Sequence, residues 1–275
     1  MFKYPIYVIS KGRHDCLLTT KALTIMGCEF NLVVEPHEID GYKNVVPENK
    51  IITLPFSNLG LGSIPARNFV WEHSIESGYE RHWILDDNIE QFNRMNNNYQ
   101  HRCDSPAYFY AMENFVDRYE NIALAGPEYD FFCKSKCNWP AFRLNTRIYS
   151  TILIKNDLPF RWRGKFNEDT DLSIRVLKAG YATVLFLAFT QQKTQTMTMK
   201  GGNTDSVYND GTDRLSFAES LVEQHPDCVR VTKKYGRWHH HVNYRNFKRN
   251  KLVRKQGYNY SGINNFGMVL KEINK

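Results

Sequence analysis

Leu85-Asp86-Asp87-Asn88 runs from an apolar segment straight into two carboxylates and an amide. Hard oxygen donors suit Mn²⁺ or Mg²⁺, which bind through one or two carboxylates together with substrate phosphates. The same residues also suit a solvated turn. Glu168-Asp169-Thr170-Asp171 opens a helix-like segment. The helix dipole favours acids there, and Asp169, Glu168 or Asp171 could take a proton from an acceptor hydroxyl. In Ser63-Ile64-Pro65-Ala66-Arg67-Asn68, Arg67 and Asn68 fall in the first turns of a helix. They serve there either a diphosphate or nucleotide or an ordinary ion pair and cap. Trp238-His239-His240-His241 puts successive imidazoles on alternate faces of a strand. His240 is accordingly a candidate metal ligand or a surface or phosphate contact. Lys200-Gly201-Gly202-Asn203 could close over a phosphate.

Charge is unevenly spread along the 275 residues. The net charge is +7, but residues 229–275 alone carry +11, leaving −4 on the rest. In this segment Arg245, Lys248, Arg249, Lys251, Arg254 and Lys255 interleave with Phe247, Tyr258 and Tyr260. That pattern fits phosphate contacts with base stacking, or a solvated basic face. With Arg163 these six are the candidate DNA contacts, and a polyanionic partner is expected.

The elements that must position these groups alternate. Ile6–Ile9, Asn31–Glu35, Ile51–Leu54 and His82–Leu85 read as strands. Helices are expected from Asp15 to about Met26, and from Ser63, as N-cap, to Ser77 with Gly78 as terminator. This is an α/β order with parallel pairing. Ser10–Arg13, Glu35 and Asp86–Asn88 then fall at carboxyl ends of strands, where open α/β sheets bind ligands. Asn93–Gln100 reads as a polar loop, Pro106–Tyr119 as a helix, and Ile122–Ala125, Tyr149–Ile154 and Thr183–Phe189 as strands. Thr170–Ala179 and Ser216–His225 read as helices, and Lys193–Asp213 as a mobile loop. We expect one domain over 1–228 with a basic extension over 229–275. No apolar run approaches the ~18 residues of a membrane span, and no cleavage site follows the N-terminus. A soluble protein without a membrane partner is expected. Six Cys without a dense framework read as reduced thiols.

In order, these pieces resemble a known group. "SIPARNFVWEHSIESGYERHWILDDN" (63–88) and "FNEDTDLSIRVLKAGY" (166–181) resemble the helix, metal motif and downstream Glu-Asp motif of the family-2-like glycosyltransferases. "YVISKGR" (7–13), "WILDDNI" (83–89) and "EDTDLSIRVLKAG" (168–180) are similar, more narrowly, to the bacteriophage TET-associated glycosyltransferases. These glycosylate 5-hydroxymethylpyrimidines in phage DNA. The resemblance spans roughly residues 1–190. It implies a GT-A-type nucleotide-diphospho-sugar transferase fold, with a mostly parallel central sheet flanked by helices. It implies a UDP-sugar donor, and Mn²⁺ or Mg²⁺ held by Asp87 with Asp86 or Asn88. Asp169 becomes the base of an inverting transfer, with Glu168 and Asp171 in reserve. Ser10, Arg13, Glu35, Arg67 and Asn68, with Asp86 and Asp87, line the nucleotide site. The acceptor is double-stranded DNA with a hydroxymethylated pyrimidine, and the setting is the cytoplasm of a phage-infected cell. One departure stands out: the metal motif ends in Asn88 where the common pattern is Asp-x-Asp. Two other readings remain: a transferase acting on a polysaccharide or protein, and a non-catalytic nucleic-acid-binding protein on the same fold.

Overall fold

Ile6-Tyr7-Val8-Ile9 forms β1 (Ile6–Ile9) because both of its faces can be covered. Ile6 and Val8 enter one apolar layer, while Tyr7 and Ile9 enter a second. This is the period-2 alternation of a strand buried on both sides. The same division recurs in β4 (Arg81–Asp86), where Trp83 and Leu85 share a layer with Val8, and Ile84 shares one with Tyr7. Helices α1 (Leu18–Ile25) and α4 (Ala107–Val116) close the first layer through Leu23, Phe109 and Met112. Helices α3 (Ile64–Glu76) and α5 (Glu168–Lys178) close the second through Val70, Trp71, Leu172 and Val176. The result is a sheet between two helical layers, as the GT-A reading expects. The computed structural model describes residues 3–164, 166–194, 214–234, 236–259, 261–263, 268–271 and 273. Lys200–Asn203, the part of the expected Lys193–Asp213 loop beyond Thr194, Tyr260 and Glu272 lie outside the described residues.

The remaining strands are β2 (Asn31–Val34), β3 (Ile51–Thr53), β5 (Ile89–Asn96), β6 (Tyr99–Arg102), β7 (Ile122–Tyr129), β8 (Phe142–Leu144), β9 (Thr151–Lys155) and β10 (Ala182–Lys193). The 10-stranded sheet runs β3-β2-β1-β4-β9-β7-β10-β5-β6, with β8 also on β10. β1, β2, β3, β4, β6, β7 and β10 point one way, and β5, β8 and β9 the other. β7 and β9 pack closely at Gly126, where a side chain would overlap the Thr151 carbonyl.

The expected Asn93–Gln100 loop is instead the β5–β6 hairpin. Asn97 and Asn98 turn it with positive φ (49° and 62°), the backbone a tight hairpin turn needs. The strands escape hydrophobic patterning because both are largely polar. Helix α1 begins at Leu18 rather than Asp15, which does not cap it. At the head of α3, the Ser63 hydroxyl does not cap the helix either; it accepts from Arg67 Nε at 3.1 Å. Beyond 213 come α6 (Arg214–Gln224) and a hairpin of β11 (Val229–Lys234) and β12 (Arg237–Val242). Leu221, Val229 and Phe247 pack with Ile174 and Leu177 of α5, so the segment after 228 is built onto the body.

Candidate active site

The carboxyl ends of β1 and β4 open into a cleft of ≈ 320 Å³, lined by Ser10, Arg13, Glu35, Arg67, Asp86, Asp87, Asn88, Glu168 and Asp169. These sequence candidates converge because parallel strands deliver them to one end of the sheet. Ser10 directly follows β1 and Asp86 ends β4. The N-termini of α3 and α5 supply Arg67, Glu168 and Asp169.

Asp87 is an internal anchor. Ser10 Oγ donates to Oδ2 at 2.8 Å, and the Arg13 guanidinium pairs with Oδ1. Ser10 Oγ also lies 2.8 Å from the Tyr42 hydroxyl. Asp86 faces the cleft and is held by three donors. Arg67 Nη2 reaches Oδ1 at 3.0 Å, while Lys193 Nζ and Ser150 Oγ reach Oδ2 at 2.6 and 2.7 Å. Burial pushes the Asp86 carboxyl up, but Lys193 and Arg67 outweigh it and hold it at about 2. Burial equally opposes the Lys193 charge, and Asp86 restores it, so Lys193 titrates above its ordinary value.

Asp169 behaves differently. Among the described residues no ion pair engages its carboxylate. Burial, then repulsion from Glu168, raise it to about 7 against the pull of Arg67. A carboxylate titrating near neutrality is suited to general-base work. Glu168 is tied down beside it, 3.4 Å from Ser63 Oγ and 3.9 Å from Arg67 Nε.

Three sequence candidates lie outside this cleft, and their roles are corrected. Asp171 is fully buried on α5, where Arg163, Arg175 and His225 take its oxygens at 3.1, 2.7 and 2.9 Å. It is a structural hub and cannot meet an acceptor. Asn68 clasps the Trp162 backbone, donating to its carbonyl at 3.0 Å and accepting from its N–H at 2.8 Å. The amide is thereby turned to the Trp162 backbone, and Asn68 is not among the residues that line the cleft. His240 is on β12 and is not among the residues that line the cleft, and burial with nearby Arg147 lowers it to about 4.

A divalent ion does not fit the described residues. Each oxygen of Asp86 and Asp87 already receives a cation or hydroxyl donor. Asn88 adds one neutral oxygen, buried and without a partner. Among the described residues no three His, Cys, Asp or Glu side chains converge. Mn²⁺ and Mg²⁺ bind through one or two carboxylates with substrate phosphates, and here both carboxylates are engaged by protein cations.

The basic segment beyond Phe247 lies elsewhere. Asn250 Nδ2 donates to Leu177 O and Tyr181 O, both at 2.7 Å, and Asn121 clasps Lys251 O and Val253 N, both at 2.8 Å. Lys255 Nζ reaches Glu80 at 3.8 Å. These anchors sit where β4, β7 and β10 begin. The cleft sits at the other end of β4, six residues and roughly 20 Å away at ~3.3 Å per residue. Lys248, Arg249, Lys251, Arg254 and Lys255 are exposed in this stretch, Arg245 is exposed beside Tyr244, which lies near Arg147 and Tyr149, and Arg163 is tied to Asp171.

Sequence reasoning missed Lys193, Ser150, Tyr129 and Tyr149, all lining the cleft. Lys193 is 107 residues from Asp86. Only the pairing of β10 with β5, where Lys193 lies opposite Ile89, brings the two together. Ser150 carries a local trace: its φ of 61° is a strained backbone for a non-glycine residue.

Among the described residues no helix is long and apolar enough to cross a membrane. Comparison with curated proteins gives no match. A solved structure of a proposed nucleotide-diphospho-sugar transferase from Desulfovibrio desulfuricans G20 is similar at 11% identity. It covers 68% of this chain and 80% of its own, with a TM-score of 0.38, a likeness too slight to carry argument. The family profile for TET-associated glycosyltransferases matches residues 4–202, the span that holds β1, the Asp86–Asn88 turn, Glu168 and Asp169. With most of its length matched, and with Ser10 and Arg13, Asp86 and Asp87, and Glu168 and Asp169 of the three motifs gathered at one cleft, this chain belongs to the TET-associated glycosyltransferase family.

Proposed function

We propose that this glycosyltransferase moves a sugar from a UDP-sugar to the hydroxymethyl group of 5-hydroxymethylcytosine, or a related hydroxymethylpyrimidine, in phage DNA within the infected cell. The observation that carries this reading is Asp169. It is a half-buried carboxylate raised to about 7, without an ion pair among the described residues, set beside Arg67 in a ligand-sized cleft. The acceptor oxygen attacks the anomeric carbon of the donor as the bond to the diphosphate breaks. The acceptor proton passes to Asp169, and the bonding pair leaves on the phosphate oxygen. One such displacement inverts the anomeric centre. The Arg67 guanidinium, 4.6 Å from the Trp162 ring centroid, meets the charge growing on the leaving group.

A pyrimidine acceptor is supported by the rim next to Tyr129 and Tyr149. Phe131 stacks on Tyr129 at 5.3 Å, and Phe131 and Phe132 are exposed. Arg147 lies 5.0 Å from the Tyr149 ring. Exposed rings beside a cation suit a base and its phosphate. A polysaccharide or protein acceptor is the second reading, favoured by the distance between the basic segment and the cleft.

Mass spectrometry of digested DNA tests this. The protein is incubated with a panel of UDP-sugars and duplex DNA carrying 5-hydroxymethylcytosine or cytosine. A sugar-sized mass gain is expected only on the hydroxymethylated base. UDP release without a gain on DNA would move the acceptor elsewhere. Absence of UDP release with every donor would reject the donor class.

A further inference from the structure

Lys193 is the last residue of β10 and is fixed from several sides. It lies opposite Ile89 at a register shift in the β10–β5 ladder. The next residue, Thr194, donates its N–H to the Asn88 carbonyl at 3.1 Å and its hydroxyl to Glu90 at 2.8 Å. The residue before it, Gln192, reaches Glu90 at 2.6 Å. The side chain is therefore delivered to the Asp86–Asn88 turn itself, with only 13% of its surface exposed. An ammonium group has three N–H donors. Asp86 Oδ2 at 2.6 Å and Ser150 Oγ at 2.8 Å take two of them, and one remains toward the cleft that Lys193 lines.

We propose that Lys193 takes the part that a divalent cation plays in a metal-dependent transfer. Its ammonium group, held on Asp86, meets the diphosphate of the donor, and the reaction proceeds without metal. This rests on the nucleotide-sugar reading above. Three observations support it. The carboxylates of the metal motif are already matched by Lys193, Arg67 and Arg13. The third motif position is the neutral Asn88, so the acid a hard cation would prefer is absent. The cation nearest Asp86 is a lysine, which binds phosphate as a point charge. The bonds made and broken are those of the displacement above. As the bond from the anomeric carbon to phosphate breaks, negative charge grows on the departing oxygen, and the Lys193 N–H donates a hydrogen bond to it.

The experiment uses the full chain purified through EDTA, with UDP binding measured by calorimetry alongside the transfer assay. UDP affinity and transfer by the unsubstituted protein are expected to be unchanged between excess EDTA and added Mn²⁺. Lys193→Met is expected to weaken UDP by about 10- to 100-fold, the value of a charge-assisted hydrogen bond, while Lys193→Arg retains most of it. Because Lys193→Met leaves Asp86 short of a partner, circular dichroism checks its fold, and the arginine variant keeps the test open should the methionine variant unfold. In a third protein, Asn88→Asp is combined with Lys193→Met, and transfer is expected to return only with Mn²⁺. Loss of UDP binding in EDTA with recovery in Mn²⁺ overturns the proposal, as does a folded Lys193→Met protein that binds UDP normally. A protein that binds UDP without metal but transfers to no acceptor leaves the lysine assignment standing and rejects the acceptor. A protein that binds no UDP under either condition overturns both readings.

Discussion

The two ends of the sheet carry opposite lessons about charge. At the end where β1 and β4 finish, acids and cations neutralise one another closely, and little net charge shows in the sequence. At the other end, the basic segment displays its charge openly, yet its exposed side chains surround backbone clamps made by Asn121 and Asn250. The first end has a cleft and a carboxylate of altered acidity; the second is held like a strap. Charge density along a chain marks solvated faces as readily as sites. Position at the carboxyl end of a parallel strand is the better guide, because backbone geometry concentrates side chains there.

The largest expected effect is at the cleft end. Asp169→Asn should lower transfer by roughly 10²–10⁴-fold, the contribution of a positioned general base, with the fold intact. The reaction should also follow the acidity of Asp169: rate rises with pH through about 7 as the carboxylate loses its proton. Stability should move in the opposite sense. An acid raised on folding binds its proton more tightly when native, so stability is lost as pH rises from about 4 toward 7. Asp169→Asn should therefore raise the Tm at pH 8, with the difference vanishing near pH 4. A variant no more stable at pH 8 would show that the carboxylate is better solvated than its surroundings suggest.

Next in size is Asp171. Its partners Arg163, Arg175 and His225 would keep their desolvation cost without their counter-charge, so Asp171→Ala should cost about 3–5 kcal/mol of stability. In the protein that remains folded, kcat should hold. A folded Asp171→Ala protein with kcat reduced like that of Asp169→Asn would make it part of the chemistry.

That contrast was partly legible in the sequence. Residues two apart on a helix point about 200° away from each other, so Asp169 and Asp171 never shared a face. The letters do not say which face meets the cleft; packing of Ile174 and Leu177 against Leu221 and Phe247 decides it. The strand-end acids were legible because apolar runs of strand length precede them. The β5–β6 hairpin was not, since its strands lack an apolar face, and neither was Lys193, whose place depends on a ladder between distant strands.

A smaller effect is expected at the aromatic rim. Phe131→Ala with Phe132→Ala should weaken the pyrimidine acceptor by the ~1–3 kcal/mol that stacking on a ring supplies. The change should appear in KM for DNA, with UDP binding unaltered.

The smallest effect tests the strap. Replacing Lys248, Arg249 and Lys251 by Gln removes exposed charges whose neighbours are main-chain clamps, so stability should change by no more than about 0.5 kcal/mol. On a short hydroxymethylated oligonucleotide, kcat and KM should be those of the unsubstituted protein. Long duplexes are a separate matter, because a chain reaching round the body can touch both ends of the sheet. There the slope of log affinity against log salt should fall by about 0.9 for every phosphate that a removed cation had neutralised. The comparison between the two ends breaks if the short oligonucleotide loses as much affinity here as in the Phe131 and Phe132 variant. The strap would then lie on the path of the acceptor, and the route from rim to cleft would have to pass the start of β7 rather than its end.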